Sequence, residues 1–140
     1  MLKKYEFFKT NNGVLYCGDC KNILPLLKKE IDFVIADFPY NVSVYKNRLT
    51  RIKGQIKCAD FGDWDKWDNY DDYISWIFDI HKLILNICKN DISLLYFFSN
   101  NISGWLGVEF ELKNLSVLKQ ILIWVKNNPI PQIRKTSFRS

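Results

Sequence analysis

The sequence predicts an α/β fold built on a parallel sheet, and three observations carry that prediction. Ile31-Asp32-Phe33-Val34-Ile35-Ala36 is apolar at nearly every position, the pattern of a strand covered on both faces. A long helical stretch lies further on, with Ile74, Ile77, Phe78, His81, Ile84, Leu85 and Cys88 recurring at i, i+3 and i+4. A second apolar run, Ile92-Ser93-Leu94-Leu95-Tyr96-Phe97-Phe98, follows that helix directly. Strand and helix alternating in this way imply parallel pairing through right-handed crossovers.

The elements follow in order. Gly13-Val14-Leu15-Tyr16-Cys17-Gly18 reads as a short strand. Asp19 then caps a helix predicted through Lys28, with Ile23, Leu24 and Leu27 as its apolar stripe and Pro25 keeping it short or irregular. With the strand over residues 31–36 this makes a βαβ unit whose two strands are expected to be parallel neighbours. Residues 38–69 sustain no period and predict a long polar and aromatic loop, uncommon unless it serves a function. Asp71 or Asp72 is the expected cap of the main helix, over residues 73–89, and Asn90-Asp91 its breaker. The third strand spans residues 92–98. Residues 100–107 are turn-like, with room to open a short helix. Ile121-Leu122-Ile123-Trp124-Val125 predicts a fourth strand, stopped by Asn127-Asn128-Pro129-Ile130-Pro131.

At 140 residues and 48% hydrophobic composition, the chain fits one domain, residues 1–140, with a real core. No apolar run reaches the roughly 18 residues of a membrane span. The N-terminus lacks an apolar signal core, and four scattered cysteines suit a reducing compartment, so a cytoplasmic location is expected. Charge is unevenly spread over the net +5. Residues 41–59 hold five basic side chains (Lys46, Arg48, Arg51, Lys53 and Lys57) and no acidic one. Residues 60–72 hold six aspartates against Lys66 alone, and every charged residue from 112 onward is basic. Two basic segments on a mixed chain point to a polyanionic partner.

Ligands of open parallel sheets bind beyond the carboxyl ends of the strands. Gly18-Asp19-Cys20 ends the first strand and Asp37-Phe38-Pro39-Tyr40 the second. Asp19 alone reads equally as helix cap or ligand contact. Asp37-Phe38-Pro39-Tyr40 offers more: a carboxylate, a stiffened turn and an aromatic together can hold a flat, amino-bearing ring.

At these residues the chain resembles the amino-group DNA methyltransferases of restriction-modification type, in the permuted subgroup whose catalytic motif precedes the cofactor glycine motif. The family signature runs strand, Gly-Asp-small, helix, apolar strand, Asp-Pro-Pro-Tyr. Here it reads Gly18-Asp19-Cys20, Leu24-Pro25-Leu26-Leu27, then Phe33-Val34-Ile35-Ala36 into Asp37-Phe38-Pro39-Tyr40-Asn41. Phe61-Gly62-Asp63-Trp64-Asp65 and Trp124-Val125-Lys126-Asn127-Asn128-Pro129 match two later segments. The resemblance covers roughly residues 14–140 and implies a Rossmann-like sheet, S-adenosylmethionine as methyl donor and double-stranded DNA as partner. It implies that Asp37 and the carbonyl of Phe38 accept the two hydrogens of an exocyclic amine, freeing the nitrogen lone pair for in-line attack. Pro39 stiffens that turn, and Tyr40 would stack on a base flipped from the duplex. Asp19 and Cys20 would lie near the cofactor's adenine, and residues 46–57 would contact phosphates. Asp in the first motif position favours adenine over cytosine.

Two departures stand out. Phe38 replaces the first family proline, losing its fixed φ and placing a bulky ring, by expectation, beside the pocket. The six glycines contain no Gly-x-Gly pair, so the cofactor glycine motif is missing. A sheet incomplete at its C-terminus is therefore expected, as a truncated or split copy, with a second chain as the source of the missing half. Other constellations are weaker. Cys17 and Cys20 have metal or redox spacing but no second close pair, His81 falls on an apolar helix stripe, and Trp64, Trp67 and Trp76 suit core packing better than base stacking.

Overall fold

The computed structural model describes residues 1–41, 49–52, 55–58, 62–98 and 102–125. They form a mixed α/β arrangement with three two-stranded sheets. After a 3-10 turn at Leu2–Tyr5, strands β1 (Glu6–Lys9) and β2 (Val14–Tyr16) pair antiparallel, with Phe8 opposite Leu15 and Lys9 opposite Val14. The expected first strand is thus present but paired differently. Thr10 and Gly13 close a turn (Thr10 N–H to Gly13 O, 2.8 Å) that returns β2 onto β1, instead of leaving it beside the next strand.

Helix α1 (Cys20–Ile23) is a single turn capped by Asp19, whose Oδ1 accepts from the Lys21 amide at 2.8 Å. The predicted continuation to Lys28 fails at Pro25: the chain tightens into a 3-10 turn at Leu24–Leu26, then extends at Leu27.

Strand β3 (Ile31–Asp37) is parallel to β6 (Cys88–Phe97), in the register Val34–Leu94, Ala36–Tyr96 and Asp37–Phe97. Parallel neighbours need a crossover. It includes a hairpin, β4 (Leu49–Ile52) with β5 (Gln55–Cys58), inside the predicted loop, and helix α2 (Tyr70–Ile87). Asn69, not Asp71 or Asp72, caps α2 through the Asp71 amide at 2.9 Å. The helix buries Tyr73, Ile77, Ile80, His81, Ile84 and Ile87 against Val34, Ala36, Leu94 and Tyr96. Asn90-Asp91 does not separate helix from strand. Cys88 already begins β6, and Asp91, at φ 57°, sits within the strand beside a register shift.

The two-faced cover expected for β3 is not found among the described residues. Its alternate side chains Phe33 and Ile35 are 50% and 64% exposed. Helix α3 (Ser103–Leu112) is longer than the short helix foreseen and packs Leu106 and Phe110 into the core. Asn114 ends it at φ 53°, and the Leu115 amide returns to the Phe110 carbonyl. Among the described residues the fourth strand is absent as such. Residues 121–125 are irregular and exposed and pair with no strand among the described residues, although Trp124 lies edge-on to Phe97 of β6. No helix among the described residues is long and apolar enough to cross a membrane.

Candidate active site

The carboxyl end of β3 opens into a cleft of about 910 Å³ whose wall includes Asp19, Cys20, Asp37, Pro39, Trp64 and Lys66. The two strand ends singled out in the sequence therefore share one cavity, although β2 and β3 do not pair. Asp37 is the last residue of β3, opposite Phe97. The Tyr40 hydroxyl donates to Asp37 Oδ1 at 2.6 Å, which tethers the ring beside the carboxylate. Partial burial, helped by Asp37, pushes the Tyr40 phenol up to about 12, so the tyrosine is neutral and donating at physiological pH.

Phe38 lines the cleft, as expected, but its ring is packed rather than free. Its side chain is 4% exposed and lies in an aromatic cluster: stacked on Phe98 at 4.8 Å, edge-on to Tyr96 at 5.0 Å and to Trp76 at 6.2 Å. Its amide donates to the Phe97 carbonyl at 3.4 Å, one step beyond the last strand pair. A proline at this position has no N–H for that bond.

The turn's far side is held by residues that local sequence patterns did not reveal. The buried Tyr73 hydroxyl donates to the Pro39 carbonyl at 2.6 Å. Burial, then the nearby Asp65 charge, pushes the Tyr73 phenol far up, so it keeps its proton. The Asn41 amide donates to Oδ1 of Asp65, a carboxylate only 1% exposed, at 2.7 Å. The Asn41 side chain bridges the backbone of Trp67, accepting from its N–H at 2.9 Å and donating to its carbonyl at 3.2 Å. Asn41 itself adopts φ 52°, a region asparagine tolerates better than most residues. In sequence Asp65 is one of six aspartates in residues 60–72, and its place between Trp64 and Trp67 is the local mark of its burial.

Asp19 is both a helix cap and part of the cleft wall. Cys20 is half-buried, and burial, reinforced by Asp19, raises its thiol pKa, which disfavours a reactive thiolate. Trp64 is 62% exposed on the cleft wall, whereas Trp67 and Trp76 pack against each other and onto Tyr73 and Phe38. Of the basic residues assigned to phosphate contact, Arg51 lies on β4 and Lys57 on β5, opposite Thr50. Lys46, Arg48 and Lys53 lie outside the described residues, as does the Lys126-Asn127-Asn128-Pro129 part of the later motif. Among the described residues no group of three or more His, Cys, Asp or Glu is placed to hold a metal. His81 is a core residue: its Nδ1 lies 2.9 Å from the Tyr96 hydroxyl, its Nε2 3.1 Å from Ser116 Oγ, and its ring stacks on Phe110.

A comparison with curated proteins finds no match to this chain. A family model described as DNA methylase, covering the enzymes that modify the N6 and N4 amino groups, matches residues 31–140. That span is most of the chain and contains β3, the Asp37-Phe38-Pro39-Tyr40 turn, its hydrogen-bonded supports and helix α2. The chain belongs to the N6/N4 DNA methylase family.

Proposed function

We propose that the chain carries the base-gripping half of a DNA methyltransferase acting on an exocyclic amine, adenine N6 in preference to cytosine N4. One observation carries the reading: the Asp37 carboxylate at a strand end and the Phe38-Pro39 turn after it line a cleft large enough for a base, and the Tyr40 aromatic is tethered to that carboxylate. Asp37 accepts one amino hydrogen and the Phe38 carbonyl the other. Polarised in this way, the nitrogen keeps its lone pair for attack on a donor methyl group. As the N–C bond forms, the methyl's bond to the donor's sulfonium sulfur would break, leaving a neutral thioether, and the surplus amine proton leaves towards Asp37 and solvent. Positioning does most of the work, because an exocyclic amine needs no covalent help from the protein. Tyr40, neutral and held by Asp37, presents a π-face for the flipped base.

The cleft also fits a donor. Its volume exceeds what one base occupies, and Asp19 and Cys20 line it together with Asp37. S-adenosylmethionine held there would supply an electrophilic methyl group, with Asp19 and Cys20 beside its adenine. The basic segment containing Lys46, Arg48, Arg51, Lys53 and Lys57 supplies phosphate contacts to duplex DNA in this reading.

The test is transfer of tritiated methyl from S-adenosylmethionine to unmethylated DNA, followed by digestion to nucleosides. N6-methyldeoxyadenosine is the expected product. Asp37→Ala is expected to abolish transfer while the far-UV circular dichroism stays unchanged. DNA still protected from a methylation-sensitive nuclease by that variant would sink the assignment.

A second reading, in which further polypeptide completes the cofactor half of the site, is favoured by the uncovered apolar surface. Phe33, Ile35 and residues 121–125 face outward among the described residues. Calorimetry with S-adenosylmethionine separates the two readings. Heat of binding supports a self-sufficient enzyme, and its absence supports a partner-dependent chain.

A further inference from the structure

We propose that Asn41, Asp65 and Tyr73 are positioning residues that hold the Asp37-Phe38-Pro39-Tyr40 turn in its working geometry. The inference rests on reading that turn as the grip on the target base.

The turn's upstream side is anchored by the β3–β6 ladder, which ends at Asp37 opposite Phe97 and is extended by the Phe38 amide. Among the described residues no ladder holds the downstream side. Its anchors come from a segment 24 to 34 residues away in sequence: Tyr73 on the Pro39 carbonyl, Asp65 on the Asn41 amide, and the Trp67 backbone on the Asn41 side chain. They bracket Tyr40 from both neighbours, Pro39 before it and Asn41 after it.

Tyr40 itself is 39% exposed, and its described hydrogen bond is the single one to Asp37. An exposed ring with one polar tether keeps its place only if its backbone is fixed. The supports suit that task because Asp65 and Tyr73 are each 1% exposed, where water competes poorly for their hydrogen bonds. Asp65 and Tyr73 thus set where the Tyr40 ring and the Asp37 carboxylate stand without touching a substrate.

A role in stability alone would leave the Tyr40–Asp37 pair unchanged in a folded variant, and that difference is measurable. The seven tyrosines are labelled with 13C at Cζ, and Tyr40 is assigned through Tyr40→Phe. Asp37→Ala gives the Tyr40 position with its hydrogen bond lost. Asp65→Asn, Asn41→Gly (which keeps the left-handed backbone accessible) and Tyr73→Phe are compared at pH 7 after a cooperative thermal transition shows that each is folded. The Tyr40 signal is expected to move more than half way to the Asp37→Ala position. An unmoved signal in folded Tyr73→Phe, which loses one hydroxyl and little else, overturns the proposal even if Asp65→Asn does not fold.

In the tritium assay the folded variants are expected to lose at least tenfold in kcat with KM for DNA within twofold. A rise in KM alone overturns the positioning role. If the unaltered chain transfers no methyl group, the base-grip reading fails at that step, and the Tyr40 resonance still decides whether the brace sets the turn.

Discussion

Acidification should weaken this protein through His81, and the size of the effect follows from its surroundings. The ring is fully buried, between the Tyr96 hydroxyl and Ser116 Oγ and stacked on Phe110 at 4.0 Å. Burial lowers its pKa from 6.5 to about 4. Between those values the unfolded chain takes up a proton that the folded one refuses. The neutral ring therefore contributes its full stability above pH 6.5, and the contribution is lost progressively as pH falls towards 4. A shift of this size corresponds to roughly 3 kcal/mol in total, with about half of it gone near pH 5. That is a large share of a typical domain's stability, about 5–15 kcal/mol. Urea unfolding followed by tryptophan fluorescence at pH 8, 6 and 5 measures it. Carboxylates titrate in the lower part of this range, so His81→Gln is the control: it keeps a polar side chain for Tyr96 and Ser116 but cannot ionise. The unaltered protein should lose stability faster than the variant between pH 6.5 and 5. Parallel pH profiles for the two proteins would refute the reasoning, since His81 would then not be the group taking up the proton.

The remaining predictions concern the cleft. Phe38→Ala removes a buried aromatic ring and should destabilise the fold by about 3–5 kcal/mol, read from urea midpoints at constant slope. Trp64→Ala should change stability by less than about 0.5 kcal/mol, because the ring is mostly exposed. The same variant should weaken binding of S-adenosylmethionine or DNA at least fivefold by calorimetry, and equal affinities would remove Trp64 from the site. Alanine at Arg51 or Lys57 should lower the salt dependence of DNA affinity, each reducing the slope of log K against log salt by about 1. An unchanged slope would place those residues off the phosphate path.

How much of this was legible in the sequence depended on whether a feature was local. Strand β3, helix α2 and the Leu94–Phe97 part of β6 announce themselves because each repeats its apolar spacing within a few residues. Strand β2 was legible but its pairing with β1 was not, since strands that bury little have no face to mark a partner, and the β4–β5 hairpin shows no apolar period. Residues 121–125 show the opposite failure: a strongly β-prone stretch that pairs with no strand among the described residues. At the site, Asp37 and Tyr40 could be read from their positions at a strand end. Asn41, Asp65 and Tyr73 could not, because hydrogen bonds spanning 24 and 34 residues leave no local period. A buried carboxylate inside an acidic run looks the same in sequence as a solvated one.

Phe38 bears most directly on whether the turn can still grip a base. A proline there would fix φ through its ring, and phenylalanine gives up that covalent restraint. The fold supplies two restraints in its place. The Phe38 amide, absent from proline, bonds the Phe97 carbonyl and ties the backbone to β6. The ring is clamped among Phe98, Tyr96 and Trp76, so rotating the backbone at Phe38 would drag a buried aromatic out of the core. Tyr96 in turn is held by His81, which links this clamp to the same buried histidine from which acid sensitivity is predicted. Restraint by packing is reversible where restraint by a pyrrolidine ring is not. Phe38→Pro therefore separates the two: it should lose stability with the aromatic clamp yet keep the carbonyl acceptor. Methyl transfer by folded Phe38→Pro at or above the unaltered rate would show that φ, and not the clamp, aims that carbonyl.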